Sequence, residues 1–315
     1  DMLQVILLGG ATCVGFARHS DGTLYMAAGR GVFRWNSNLL WDLMYVHASA
    51  NATGIAAYKG NIYVCYGSGV SYIYGTVTTW TTAAAGATGE AQLFSTLRDE
   101  LWKCGVDKTS VYKSVSSPVT AADWGAALLC GETNTQFNSM SAYQDSMYVG
   151  KEDGLFSFLR TYDDGAAANV FKNLTQSYAR FASTSNFKHM VDWAGLLYMG
   201  LEHSGLLSFD GGTFNDLRSM ITDEAASLDN TNLSGEIVAL APSTTDLFFF
   251  IDSYISQGGA LMALHRRPNL PIQVHMLDLH WLTNVDRADF IPLGITTGND
   301  FHLLAVVGRV ATASG

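Results

Sequence analysis

Proline is scarce in this chain, with 5 residues in 315, and charged residues make up only 15%. Few prolines leave long stretches free to donate backbone hydrogen bonds. Low charge beside 48% hydrophobic residues excludes an intrinsically disordered polypeptide. Clusters of basic residues are also missing. Lys and Arg number 18 against 28 Asp and Glu, for a net charge of −10. The one basic grouping, His265-Arg266-Arg267, reads as a solvated hairpin tip. Without a basic stripe, neither nucleic acid nor an anionic membrane is an expected partner. No apolar run approaches the roughly 20 residues of a spanning helix, and Leu247–Ile251 reads as a buried strand. Helical periodicity is nearly absent; the best candidate is a turn around Asp223–Leu228. The four cysteines match no zinc spacing and are expected to be free, buried thiols. The chain opens on Asp1 with no signal-peptide pattern, so an upstream segment is expected to have been removed or not shown.

What is present is a repeat. A short strand signature occurs as LYMAAG from Leu24, IYVCYG from Ile62, LWKCGV from Leu101 and MYVGKE from Met147. It returns as LYMGLE from Leu197, LFFFID from Leu247 and, more weakly, FHLLAV from Phe301. Turn residues precede almost every copy, as at Asp21-Gly22, Gly60-Asn61 and Ala194-Gly195. A second apolar run follows each, usually opened by Gly, as in GVFRW from Gly31 and GLFSF from Gly154. A third run, such as LWDLMYV from Leu40, and a run before each signature, such as TGIAAYK from Thr53, complete four antiparallel strands. Four short strands repeated every 40–50 residues or so predict a β-propeller.

The expected fold is therefore all-β: a seven-bladed propeller of four-stranded antiparallel blades in a single domain over 1–315. The units fall near 11–46, 52–82, 90–130, 137–175, 187–220, 235–280 and 288–315. The last unit lacks a fourth strand, and Leu3–Leu8 looks like a fourth strand without a blade. The expectation is that the N-terminal strand completes the last blade and closes the ring, leaving no open edge. Cys65 and Cys104 hold the same place in their repeats as Ala27, Gly150 and Gly200. That place is expected to need a small residue where neighbouring blades press together.

A propeller does not name its own function. Catalysis of glycoside hydrolysis needs paired carboxylates of unequal pKa. The acidic candidates are Asp223, Glu224 and Asp229, with Asn230 beside them, in the longest connection between repeats; Asp163 and Asp164 lie in a second polar loop. Long loops in a repeat protein often carry the binding surface. These six residues are the ligand-binding candidates. No catalytic residue, metal ligand or cofactor is assigned: there is no Ser-His-Asp arrangement and no phosphate loop. His275 and His280 sit at an odd offset and fall on opposite faces of a strand. Trp35, Trp41, Trp80, Trp124, Trp193 and Trp281 could form sugar platforms but are more simply read as core.

LYMAAGRGVFRWN, MYVGKEDGLFSF and LYMGLEHSGLLSFDGGTF resemble propeller repeats of the sialidase-like and sensor-regulator kind. Ser208–Phe214 approaches the Asp box of sialidase-type propellers, one residue short and ending in Phe. That resemblance implies fold, because in such families the Asp box is a structural turn. A sialidase would also need an arginine triad; Arg18, Arg30, Arg34, Arg98, Arg160, Arg180 and Arg218 are available, and none lies in a motif that assigns the role. The Ala-, Gly-, Thr- and Ser-rich texture is similar to propeller modules of phage tails and other virion proteins. Together these imply a non-catalytic interaction or structural propeller within a larger extracellular or virion-surface assembly, with protein partners or a surface glycan. A lectin-like propeller and a glycoside hydrolase or lyase are the alternatives.

Overall fold

The computed structural model describes residues 13–36, 41–84, 89–114, 120, 123–158, 171–175, 183–201, 205–217, 235–243, 245–253, 258–265, 273–278, 290–297 and 303–309. Contacts divide the chain into two compact units, Asp1–Ala182 and Ser183–Gly315.

The first unit holds four sheets of identical design. Blade one comprises β1 (Cys13–Arg18), β2 (Leu24–Ala28), β3 (Gly31–Trp35) and β4 (Trp41–Val46). Blade two comprises β5 (Gly54–Tyr58), β6 (Asn61–Cys65), β7 (Ile73–Gly75) and β8 (Trp80–Thr82). Blade three comprises β9 (Leu93–Leu97), β10 (Glu100–Cys104), β11 (Ser110–Lys113) and β12 (Leu128–Leu129). Blade four comprises β13 (Phe137–Tyr143), β14 (Ser146–Lys151), β15 (Gly154–Phe158) and β16 (Phe171–Asn173). In each, consecutive strands pair antiparallel in chain order. First strands pack on first strands, β1 on β5, β5 on β9 and β9 on β13.

The second unit repeats the design in blade five, β17 (Met190–Trp193), β18 (Leu196–Leu201), β19 (Gly205–Phe209) and β20 (Phe214–Asp216). Blade six follows with β21 (Gly235–Pro242), β22 (Asp246–Ser253), β23 (Gly258–His265) and β24 (Gln273–Asp278). The seventh repeat is a two-stranded sheet, β25 (Phe290–Thr297) with β26 (Leu303–Arg309). The propeller therefore has six four-stranded blades among the described residues, which corrects the expected seven. The physical reason lies in the last repeat, where β25 and β26 are hydrogen-bonded to each other alone among the described residues. The closing strand expected at 3–8 and the turn expected around 223–228 lie outside the described residues.

The signature is the second strand of each of the six blades, and in blades one to five it is covered on both faces. β2 is buried along its whole length, and β6, β10, β14 and β18 are buried after their first residue. A strand buried on both faces reads as a continuous apolar run, whereas a half-buried one alternates. Outer strands such as β8 and β20 are short and largely open to solvent. At Gly200 and Cys65 the small-residue position lies against the next blade. A Cβ on Gly200 would lie 2.6 Å from Cβ of Ile237 in the next blade, and Cys65 Sγ donates to the Gln92 carbonyl of blade three at 3.2 Å. All four cysteines are free and buried. Burial pushes the Cys13 and Cys65 thiols up to about 12.

Candidate functional site

The hairpins between the first and second strands of blades two and three each fasten that blade to the next. Lys59-Gly60, Gln144-Asp145 and Ala194-Gly195 each place two consecutive residues at positive φ, the geometry of a two-residue hairpin turn. At the end of β5 the Tyr58 hydroxyl donates to the Asp99 carbonyl of blade three at 2.5 Å. Lys59 Nζ stands 3.4 Å from the Asp99 carboxylate. From the same turn of blade three, Arg98 makes a two-pronged ion pair with Asp145 of blade four.

Between these last two hairpins opens a cleft of about 440 Å³. Blade three contributes Arg98, Glu100, Trp102 and Lys113; blade four contributes Asp145, Tyr148, Ser157 and Phe158. Strand alternation explains the set. Trp102 and Lys113 are partners in the β10–β11 register, and Tyr148 and Ser157 are partners in the β14–β15 register. Lys113 Nζ lies 3.3 Å from the Glu100 carboxylate, with both side chains about a third exposed. Trp102 meets the Phe158 ring edge-on, at 5.1 Å between centroids. Trp102 is 1% exposed, and its indole Nε1 is shut off from solvent without a hydrogen-bond partner. With no exposed surface, that N–H is out of reach of anything entering the open cleft.

Two buried lysines stand on the same face of the second strands in blades three and four. Lys151 is wholly buried and donates to three backbone carbonyls of blade three: Lys108 at 2.7 Å, Cys130 at 3.1 Å and Glu132 at 2.6 Å. Those bonds use all three ammonium hydrogens. Lys103, also wholly buried, donates to the Glu90 carbonyl at 2.8 Å within a box of Tyr72, Tyr112 and Trp124 rings. Burial lowers its pKa to about 8. Both lysines are structural clamps between blades.

The loop candidates Asp223, Glu224, Asp229, Asn230, Asp163 and Asp164 lie outside the described residues, so the cleft is built from a different set. Arg160, Arg180, Arg218 and Trp281 also lie outside them. The described arginines are engaged separately. Arg18 donates to Gly22 O, Arg30 donates to Ala48 O, Arg34 pairs with Asp42, and Arg98 pairs with Asp145. They are not gathered on one anion. Trp124 and Trp193 are buried, while Trp35, Trp41 and Trp80 are partly buried, so none of these five is an open platform. The tryptophan that lines the cleft is Trp102, which the platform set omitted because its signature strand reads as core. Asp210 Oδ1 accepts from the Gly212 and Thr213 amides at 2.9 and 2.7 Å, which closes the turn before β20. Among the described residues no group of three His, Cys, Asp or Glu is placed to hold a metal ion.

No protein-family model matches this chain, and no curated protein matches it in sequence. Solved structures do match in shape. The extracellular domain of a proposed one component system from B. thetaiotaomicron is 13% identical, with a TM-score of 0.58 over 95% of this chain and 38% of that one. YCF48 from Cyanidioschyzon merolae is 10% identical, with a TM-score of 0.59 over 96% of this chain and 94% of that one. PorZ, a surface component of the type-IX secretion system of Porphyromonas gingivalis, is 10% identical, with a TM-score of 0.53 over 96% and 38%. The chain thus spans well under half of the sensor ectodomain and of PorZ. At these identities the likeness carries the fold alone: an all-β propeller of four-stranded antiparallel blades.

Proposed function

We propose that this chain is a non-catalytic binding module of a larger extracellular or surface protein. Its partner is a protein neighbour in the assembly or a surface glycan. The observation that carries the proposal is the state of the cleft's carboxylates. Glu100 is matched by Lys113, Asp145 by Arg98 and Asp99 by Lys59. Hydrolysis by a carboxylate pair needs two acids facing each other with separated pKa values, one of them kept protonated. Carboxylates each set against a cation are suited to accepting hydrogen bonds from a ligand and holding it. The shape likenesses support the setting, since they include an extracellular sensor domain and a surface secretion component that are much longer than this chain.

The test is to incubate the purified chain with a panel of oligosaccharides and peptides, following complexes by native mass spectrometry and products by chromatography. Binding without new products is the expected result. Turnover that is abolished by Glu100→Gln would replace the binding module with an enzyme.

A further inference from the structure

In blades one to three a basic side chain stands directly after the first strand: His19 after β1, Lys59 after β5 and Arg98 after β9. In blades two and three that side chain reaches the second residue of the next hairpin turn. Lys59 reaches Asp99, and Arg98 reaches Asp145. The residue of blade two that corresponds to Asp99 and Asp145 is Gly60, which offers only its backbone. The Gly60 carbonyl lies against the His19 ring. From this repeated geometry we propose that His19 is a proton-operated fastener between blades one and two. Charged, it ties the two hairpins together by donating to Gly60 O; neutral, it releases them.

The two ring nitrogens explain why charge is needed. Nδ1 stands 3.0 Å from the Asp21 carboxylate of its own turn. Nε2 is shut off from solvent and makes no hydrogen bond among the described residues. A neutral imidazole carries one N–H and can answer Asp21 or Gly60 but not both, whereas the imidazolium donates to both. The other groups around the ring do not compete for it. Tyr25 of β2 meets it edge-on at 6.2 Å between centroids, and burial raises the pKa of that hydroxyl, which stays neutral. Arg18 donates to the Gly22 carbonyl, and Lys59, beside Gly60, is set 3.4 Å from the Asp99 carboxylate.

The direction of the response follows from linkage. Burial pulls the His19 pKa down, but the Gly60 carbonyl and the Asp21 carboxylate outweigh it and hold the ring above its ordinary 6.5. Hydrogen bonds from Thr23 hold Asp21 down at about 2, so it is charged wherever His19 titrates. A base raised by folding stabilises fully below its unfolded pKa and ceases to do so above its folded one. The fastener is therefore closed in mild acid and open in mild alkali. Lys59 and Arg98 stay charged across that range, so of these three seams only the one between blades one and two responds.

Urea unfolding of the purified chain and of His19→Gln, from about pH 5 to about pH 8.5, tests the energetics. The wild-type midpoint is expected to lie furthest above the variant's at the acid end, and the gap should narrow as pH rises. The seam itself is read by NMR. Glycine labelled at the carbonyl carbon and asparagine labelled at nitrogen leave only the Gly60-Asn61 and Gly298-Asn299 peptide bonds in an HNCO spectrum. The Gly60 carbonyl is expected to shift with a midpoint above 6.5 and to stop doing so in His19→Gln. His19→Lys, which puts a permanent charge where blade two has Lys59, should also abolish that titration while keeping the seam closed at alkaline pH. A midpoint gap that is constant or grows with pH overturns the proposal. So does a Gly60 carbonyl that stays still while the gap narrows, since His19 would then pair with Asp21 inside its own turn and fasten nothing.

Discussion

The hydroxyl of Tyr58 donates to the Asp99 carbonyl at 2.5 Å, carrying the first hairpin of blade two onto that of blade three. Trp193 ends the first strand of blade five as Tyr58 ends that of blade two, and its Nε1 donates to the Ser243 carbonyl of blade six at 2.7 Å. One position thus performs one task with two side chains: an aromatic body packs between blades and its polar tip crosses to the next hairpin. Tyr58→Phe keeps the body and removes the tip. It is expected to lower unfolding stability by about 1 kcal/mol, read from the urea midpoint at unchanged m-value. An unshifted midpoint would show that water replaces the bond.

Lys151 and Lys103 are both buried, yet they should respond differently to removal of their charge. Lys151→Met leaves three blade-three carbonyls without their donor, the carbonyls of Lys108, Cys130 and Glu132. Lys103→Met removes the donor to the Glu90 carbonyl and puts an apolar chain into an aromatic box. Each orphaned buried acceptor costs about 1–3 kcal/mol. Lys151→Met is therefore expected to destabilise by about 3 kcal/mol or more, and Lys103→Met by about 1–2 kcal/mol. Equal losses in chemical denaturation would mean that the three carbonyls around Lys151 find water.

The same Lys103 makes stability depend on pH. Burial holds its folded pKa at about 8, against 10.5 for a free lysine. Between those values the unfolded chain binds the proton and the folded chain releases it, so this residue's contribution to stability rises with pH from about 8 to 10.5. Below pH 8 both states are protonated and the full burial penalty is present. The neighbouring Cys65 thiol and Tyr72 hydroxyl are raised by burial and pull the other way, because they ionise more readily in the unfolded chain. Subtracting the unfolding free energy of Lys103→Met from that of the wild type removes what those groups contribute independently and leaves Lys103 with its coupling to Cys65. The difference is expected to climb across the window, and a flat difference would place Lys103 in contact with water.

Much of the fold is legible in the sequence because the second strands are buried on both faces. LYMAA and SMYVGK carry no alternating polar residues to blur them, and positive-φ turns such as Ala194-Gly195 mark their starts. Blade two reads less well. Its third strand is only Ile73–Gly75, since positive φ at Gly67 and Gly69 lengthens the connection before it. The blade count fails in the last repeat, where the sequence from Phe301 resembles a signature but β25 and β26 alone pair among the described residues. The cleft was not legible at all. Arg98, Asp99 and Asp145 look like ordinary solvated turn residues, and only the stacking of neighbouring blades brings Arg98 onto Asp145. Lys103 and Lys151 sit in apolar runs with no sequence sign of the carbonyls they hold. A charge recurring at the same turn in consecutive repeats was the one available signal.

Gly200 provides the sharpest test of how tightly blades five and six pack. A Cβ at this position would lie 2.6 Å from Cβ of Ile237, itself 1% exposed, and no flexible side-chain end is available to yield. Overpacking of this kind costs about 1–3 kcal/mol, so Gly200→Ala is expected to destabilise by that amount even though alanine is otherwise the gentler residue for a strand. Ile237→Ala alone should cost about 2–5 kcal/mol through the cavity it opens. The two residues touch, so their effects should not add. An alanine in place of Ile237 removes the Cγ contacts at 3.2 and 3.3 Å but keeps the Cβ that lies nearest. Gly200→Ala is therefore expected to remain destabilising in the Ile237→Ala background, by less than in the wild type. An unchanged cost in the double-mutant cycle would mean that the Cβ–Cβ contact alone sets the strain.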